Sequence, residues 1–206
     1  MLKFWGRITS INVRKVVLAA QWLEIPFERV DAGLHFGVVK TPEYLSKNPN
    51  SLVPLMEDEG FVLWESNVIV RYLCAKHSFG NLYPEGLRER FDAERWMDWQ
   101  QTTPNPAGRN AFWQLLRTPP EKRDAQVVAQ SIAATEPTMA VLDAHLSHHR
   151  FVAGDTFTMA DIPLACEVHR WRALPIEQQP RPHMDRWYQA IAAQPAARGV
   201  LDIALS

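Results

Sequence analysis

Apolar positions change period several times within the first eighty residues. Leu2–Trp5 is a short apolar run closed by Gly6, which predicts a strand. Val13, Val16, Val17 and Ala20, with Trp22 and Leu23 beyond, recur at helical spacing. Ser10 or Asn12 can cap that helix, and Ile25-Pro26 stops it. Phe27–Val30 predicts a second strand and residues 31–40 a loop. Thr41-Pro42-Glu43 opens a short helix with proline at its first position, and Asn48-Pro49 closes it. Pro54–Glu57 and Phe61–Trp64 flank Asp58-Glu59-Gly60, a hairpin with glycine in its turn. Ser66–His77 carries Ile69, Tyr72 and Leu73 on one helical face.

The order is therefore β-α-β-α-β-β-α. A strand–helix–strand start implies a parallel crossover, and the later hairpin makes the four-stranded sheet mixed. Helices are expected on both of its faces. Beyond a Gly- and Pro-containing stretch, Ser78–Gly86, the pattern is helical throughout. The expected division is residues 1–77 as an α/β domain, 78–86 as a linker and 87–206 as an all-α domain. Within the second part, Pro104, Pro106 and Gly108 must bend or break the helix that starts at Leu87. Arg123–His148 predicts a long helix with a kink at Pro137. Thr158–Asp161 is a capping arrangement opening a helix toward Trp171, with Asp where Glu or Gln is usual. Arg181-Pro182 starts another helix.

The 206 residues are 47% hydrophobic and 22% charged, with a net charge of -1, so nothing favours nucleic acid or an anionic membrane surface as partner. Two distant cysteines, Cys74 and Cys166, imply no disulfide framework and are expected in the core. With no signal-peptide pattern and no apolar run long enough to span a bilayer, a reducing, cytoplasmic setting is expected. The seven histidines show no metal-ligand spacing, so no metal is expected.

The chemistry concentrates around three short motifs. Val53-Pro54 stands where a strand should begin, and an X-Pro bond is where a cis peptide costs least. A cis bond would turn the Val53 backbone groups away from the sheet, toward an extended peptide. Glu65-Ser66 would supply a carboxylate, a hydroxyl and a helix N-terminus nearby. Ser10 stands at the mouth of the first helix. Together these suit a small peptide with one amine and several carboxylates.

The order and spacing of these pieces, with the linker and the Phe157–Asp161 box, resemble the glutathione transferases of bacterial, cytosolic, serine type over almost the whole chain. The resemblance implies a thioredoxin-like first domain and a helical second one. It also implies a homodimer and glutathione as co-substrate for conjugation to hydrophobic electrophiles. Ser10 would donate to the glutathione sulfur, with Asn12 assisting, and Thr9 is the next candidate. Val53, before Pro54, would pair with the cysteinyl backbone; Glu65 and Ser66 would hold the γ-glutamyl end. Leu52 departs from the Lys or Gln that often meets the glycyl carboxylate, leaving Lys40, His35 or Asn50 for that task. A thiol pKa lowered by two units needs about 2.7 kcal/mol. One hydroxyl donor gives about 1.5–3 kcal/mol and a helix terminus about 0.3–1.

Plainer readings stand beside these. Ser10 as a plain N-cap is the competing reading, Arg14 and Lys15 are expected on a solvated face ahead of attracting carboxylates or pairing across domains, and most of Trp96, Trp99, Phe112 and Trp113 belong in a core. Trp99 and Trp113 are also candidate walls of an acceptor pocket, with Arg109 and Arg117 facing an anionic acceptor or a glutathione carboxylate. Asp98 is a candidate for the partner subunit's γ-glutamyl amine. On the same fold, disulfide reduction, dehalogenation, isomerisation, peroxide reduction or non-catalytic binding are the alternatives to conjugation.

Overall fold

A computed structural model describes residues 1–205. The first seventy-seven contain β1 (Leu2–Trp5), α1 (Ile11–Trp22), β2 (Phe27–Val30), α2 (Pro42–Lys47), β3 (Leu55–Asp58), β4 (Phe61–Trp64) and α3 (Ser66–His77). The sheet order is β2-β1-β3-β4. β1 runs parallel to β2, pairing Leu2 with Phe27, and antiparallel to β3, pairing Phe4 with Met56. β4 closes the antiparallel hairpin. Phe4 is fully buried in one core with Val13 of α1 and Ile69 of α3. Strand alternation points Trp5 to the opposite face, where it meets Tyr44 of α2 edge-on at 6.3 Å. The mixed sheet with helices on both faces is thus present.

Local chemistry explains the small differences from expectation. α1 ends before Ile25-Pro26 because Glu24 turns left-handed at φ 55. The Ile25 and Glu24 N–H groups then donate to the carbonyls of Ala20 and Gln21, a Schellman closure. β3 starts at Leu55 because Pro54 has no N–H for the ladder; the Val53-Pro54 bond is cis. The hairpin turn is two residues, Glu59 and Gly60, both with positive φ.

The helical part contains α4 (Leu87–Thr102), α5 (Pro104–Phe112), α6 (Ala125–Leu146), α7 (Asp161–Arg172) and α8 (Pro182–Ala192). The break falls at Thr103, and α5 starts anew with Pro104 at its first position. Pro106 is tolerated in the first turn, where N–H groups lack intrahelical partners anyway. α5 runs on into a wider turn at Trp113–Arg117. Asp124 caps α6 by accepting from the N–H groups of Gln126 and Val127, and Pro137 lies inside that helix. α7 is buried along nearly its whole length. Its Asp161 accepts from the backbone N–H of Thr158 at 2.9 Å and of Val152 at 3.0 Å, and from the Trp187 indole at 2.8 Å. Burial pushes the Asp161 carboxyl up to about 6 despite these donors. Among the described residues no helix is long and apolar enough to cross a membrane.

The solvated face expected for Arg14 and Lys15 does not exist. Both are buried, because α1 is packed between α3 and α7 and the C-terminal segment lies across it. Arg14 donates to the carbonyls of Ile8, Val200, Ile203 and Ala204. Lys15 Nζ donates to Gln100 Oε1 at 2.8 Å and Gln101 Oε1 at 3.2 Å on α4. Burial lowers the Lys15 ammonium to about 8. Gln100 continues to Glu167 Oε2 at 2.8 Å, and Glu167 Oε1 pairs with Arg170 at 2.5 Å. A buried polar chain thus joins the sheet-bearing half to α4 and α7.

Candidate active site

The loop after β1 carries Arg7, Thr9 and Ser10 to the edge of a cleft of about 460 Å³. One wall is built from this loop, the start of α1, Gly33, Leu34, Val39 and residues 51–53; the other comes from α4, α5, the turn after it and α7. The cleft brings together Thr9, Ser10, Asn12, Leu52, Val53, Arg109, Trp113 and Arg117 from the sequence-derived candidates.

Ser10 occupies the N-cap position of α1, with φ -83 and ψ 126, yet its side chain makes no capping bond. The hydroxyl is left for the cleft, which separates it from an ordinary capping serine. The first N–H groups of α1 point toward the same place and carry the positive end of the helix. Asn12 lines the cleft, and its Oδ1 is buried with no hydrogen-bond partner. A buried amide group left unpaired costs about 1–3 kcal/mol, a cost that a polar ligand at this point would relieve.

Val53 is held from behind. The Leu52 carbonyl accepts from Tyr44 Oη at 2.6 Å and Asn48 Nδ2 at 2.9 Å, and Ser51 Oγ donates to the Val39 carbonyl at 2.8 Å. Two glycines make room for this wall. A Cβ on Gly6 would sit 2.4 Å from Val13 Cγ2; one on Gly33, at φ +84, would sit 2.8 Å from Arg7 Nη1. Leu52 itself is 66% exposed and lines the cleft.

Other candidates stand elsewhere. Pro54, Glu65, Ser66, Lys40 and His35 do not line this cleft. Glu65 is exposed at the N-terminus of α3 in a left-handed conformation, φ 75, and Ser66 behind it is buried. Lys40 is exposed, and Asn50 spends its amide on Asn48 Oδ1. Trp99 is no cleft wall: it packs edge-on against the buried Trp96, 5.2 Å between rings, at the edge of the core. Asp98 pairs with Arg71 at 2.5 Å.

Sequence reasoning missed Arg7, Gln101, Asn105 and Arg170 as lining residues. Arg7 had a signal, since it lies in the loop leaving β1, three residues before Ser10. Arg170 had none, because its place in the cleft depends on Glu167 and the Asn105 carbonyl holding it there. The two thiols take no part: Cys74 and Cys166 are buried and pushed up to about 12. No group of three or more His, Cys, Asp or Glu side chains able to hold a metal occurs among the described residues.

A thioredoxin-like domain with an uncommitted hydroxyl at its first helix, facing an all-helical domain across a cleft, defines the glutathione-transferase class of two-domain protein. Comparison with known families agrees. Residues 1–75 match the glutathione S-transferase N-terminal domain and residues 108–195 the C-terminal domain. The chain is 39% identical to glutathione S-transferase GstB of Escherichia coli K12, covering all of both chains. It is 32% identical to glutathione S-transferase 3 of Zea mays over 95% of this chain and 90% of that one. The theta-class glutathione S-transferase of Xanthomonas axonopodis pv. citri, solved with glutathione bound, superposes with a TM-score of 0.96 at 37% identity, covering 100% and 99% of the chains. The chain belongs to the glutathione S-transferase family and is an enzyme of that family.

Proposed function

We propose that this glutathione S-transferase is of the serine type, with the Ser10 hydroxyl donating to the sulfur of glutathione while the N-terminus of α1 adds its positive end. The enzyme conjugates glutathione, its co-substrate, to electrophilic substrates. Glutathione supplies the sulfur nucleophile; the chain's residues hold it and keep it ionised. The observation that carries the serine assignment is the Ser10 side chain, at a helix N-cap, making no cap bond and lining the cleft. Asn12 stands two residues further along, in the first turn of α1, and assists as a further donor or by orienting Ser10. Val53 offers its backbone groups to the cysteinyl unit, while Glu65 and Ser66, flanking the N-terminus of α3, take the γ-glutamyl end. Lys40, an exposed cation, is the first candidate for the glycyl carboxylate, ahead of His35 and Asn50.

The buried, un-ionised cysteines support conjugation over disulfide reduction by a protein thiolate. Trp113 and Phe112 supply an apolar surface for the electrophile. The same reading divides the chain at the 78–86 linker, supported by family matches that end at 75 and resume at 108. It places the enzyme in the cytoplasm as a homodimer. Support for the dimer comes from exposed apolar side chains on β4, α3 and α4: Phe61, Trp64, Val68 and Phe91.

The test is Ser10→Ala, with Thr9→Ala beside it. Ser10→Ala lowers turnover with an aryl halide while calorimetric affinity for glutathione changes little. Unchanged turnover in Ser10→Ala, or loss confined to Thr9→Ala, overturns the assignment.

A further inference from the structure

Gln100 and Gln101 are neighbours in the last turn of α4, and one buried ammonium holds both. Lys15 Nζ donates to Gln100 Oε1 at 2.8 Å and to Gln101 Oε1 at 3.2 Å. With its pKa at about 8, Lys15 is charged at neutral pH. An ammonium only donates, so each amide turns its oxygen to Lys15 and keeps its Nε2 for something else. The two amides then part. Gln100 is fully buried, and its Nε2 donates to Glu167 Oε2 at 2.8 Å. Gln101 is half-buried and lines the cleft, and its Nε2 makes no hydrogen bond among the described residues.

The tether also sets where that free donor stands. Lys15 is on α1, five residues after Ser10, which is roughly 7.5 Å along the helix axis. Gln101 is thus tied to the helix whose N-terminus opens on the cleft, within the span of a small acceptor from the sulfur end. With Oε1 spent on Lys15, the amide offers a donor and no acceptor. The ammonium behind it polarises the amide and strengthens its N–H groups. A fixed donor backed by a positive charge suits an oxygen on which negative charge gathers during reaction. Phe112 and Trp113 line the same cleft and supply apolar surface beside it.

We propose that Gln101 is a catalytic residue for α,β-unsaturated carbonyl acceptors, its Nε2 donating to the carbonyl oxygen, with Lys15 as the positioning residue behind it. This rests on the conjugation reading and names a substrate class for it. The glutathione thiolate forms the C–S bond at the β-carbon. The carbon–carbon π pair shifts, and the carbonyl oxygen becomes an enolate oxygen held by Gln101. Water then delivers a proton to the α-carbon, and the carbonyl is restored. The hydrogen bond strengthens as the oxygen gains charge, so it acts on kcat more than on KM.

The probes are 4-phenylbut-3-en-2-one and benzyl chloride, two phenyl-bearing acceptors of which only the first has an oxygen. Each is assayed with glutathione and the full-length enzyme, and the readout is the enone-to-chloride ratio of kcat/KM. Gln101→Met, which removes the donor at similar volume, is expected to lower that ratio about ten- to a hundredfold, chiefly through kcat, the scale of one hydrogen bond to a charged group. Gln101→Glu, which keeps a partner for Lys15 but has no N–H, is expected to lower it as well. Lys15→Met is expected to lower it in part, whereas a purely structural role would lower both activities alike. Should that variant not fold, the two Gln101 variants carry the test. An unchanged ratio in both Gln101 variants, or no wild-type turnover of the enone beside turnover of the chloride, overturns the proposal and leaves conjugation standing. So does an equal fall with both acceptors accompanied by weaker calorimetric binding of glutathione, which would assign Gln101 to glutathione. Wild-type failure with both acceptors, and no heat from glutathione, instead overturns the conjugation reading itself.

Discussion

Asp161 offers a test of the packing that holds α7 behind the cleft. Its carboxylate is fully buried and gathers four donors, the Val152 and Thr158 N–H groups, the Trp187 indole and, at 3.4 Å, the Thr158 hydroxyl. Burial nonetheless raises it from the ordinary carboxylate range to about 6. A group with a raised folded pKa binds more protons folded than unfolded between about 4 and 6, so its contribution to stability falls as pH rises through that window. Between about pH 4.5 and 7.5 the titration of this one group removes about 2 kcal/mol. Asp161→Asn keeps the shape and one acceptor but does not titrate. The variant loses stability at every pH, because at least one buried donor is orphaned, at about 1–3 kcal/mol. The deficit is largest in acid and shrinks by about 2 kcal/mol toward neutrality. Urea unfolding of both proteins across this range measures it, and the other titrating groups cancel in the difference. Parallel stability curves, or a deficit that grows toward neutral pH, would refute the assignment of this burial cost.

Lys15 carries the opposite pH signature. Its pKa is lowered to about 8, so the unfolded chain binds more protons between that value and the ordinary lysine range, and stability rises with pH. Relative to Lys15→Met, the wild-type protein should gain about 2 kcal/mol between about pH 7.5 and 10 in urea unfolding; no gain would show that the ammonium is solvated. Gly33→Ala places a Cβ against Arg7 in a glycine-favouring conformation, and should cost about 1–3 kcal/mol in denaturant unfolding. A neutral substitution would mean that the loop gives way easily. Arg14→Met removes the donors that hold the Val200, Ile203 and Ala204 carbonyls. Hydrogen exchange at residues 198–205 should accelerate in this variant, while unchanged protection would show that apolar packing alone holds the segment.

The sheet-bearing half was legible because local period and turn chemistry decide it. Alternation in short strands, proline at the start of α2 and glycine in the hairpin are all written within a few residues of where they act. Thr103 shows the same for the helical half, where Pro104 next door sets the break. What was not legible depends on distant neighbours. Arg14 and Lys15 resemble solvated first-turn cations until carbonyls some 190 residues later and the amides of Gln100 and Gln101 are folded against them. Trp99 and Trp113 look alike in sequence, yet one turns into the core and the other toward the cleft. Arg7 and Arg170 line one cleft only because α7 packs against α1. Ser10 was visible as a helix-start hydroxyl; that it leaves the cap unmade is a property of its side-chain direction in three dimensions.

The direct measurement of the central claim is the acidity of the glutathione thiol on the enzyme. Thiolate absorbance of the binary complex, followed against pH in wild type and Ser10→Ala, reports it. A hydroxyl donor to the thiolate, at about 1.5–3 kcal/mol, predicts a bound thiol one to two units more acidic in wild type than in the variant. Identical titration curves for the two proteins would contradict the account.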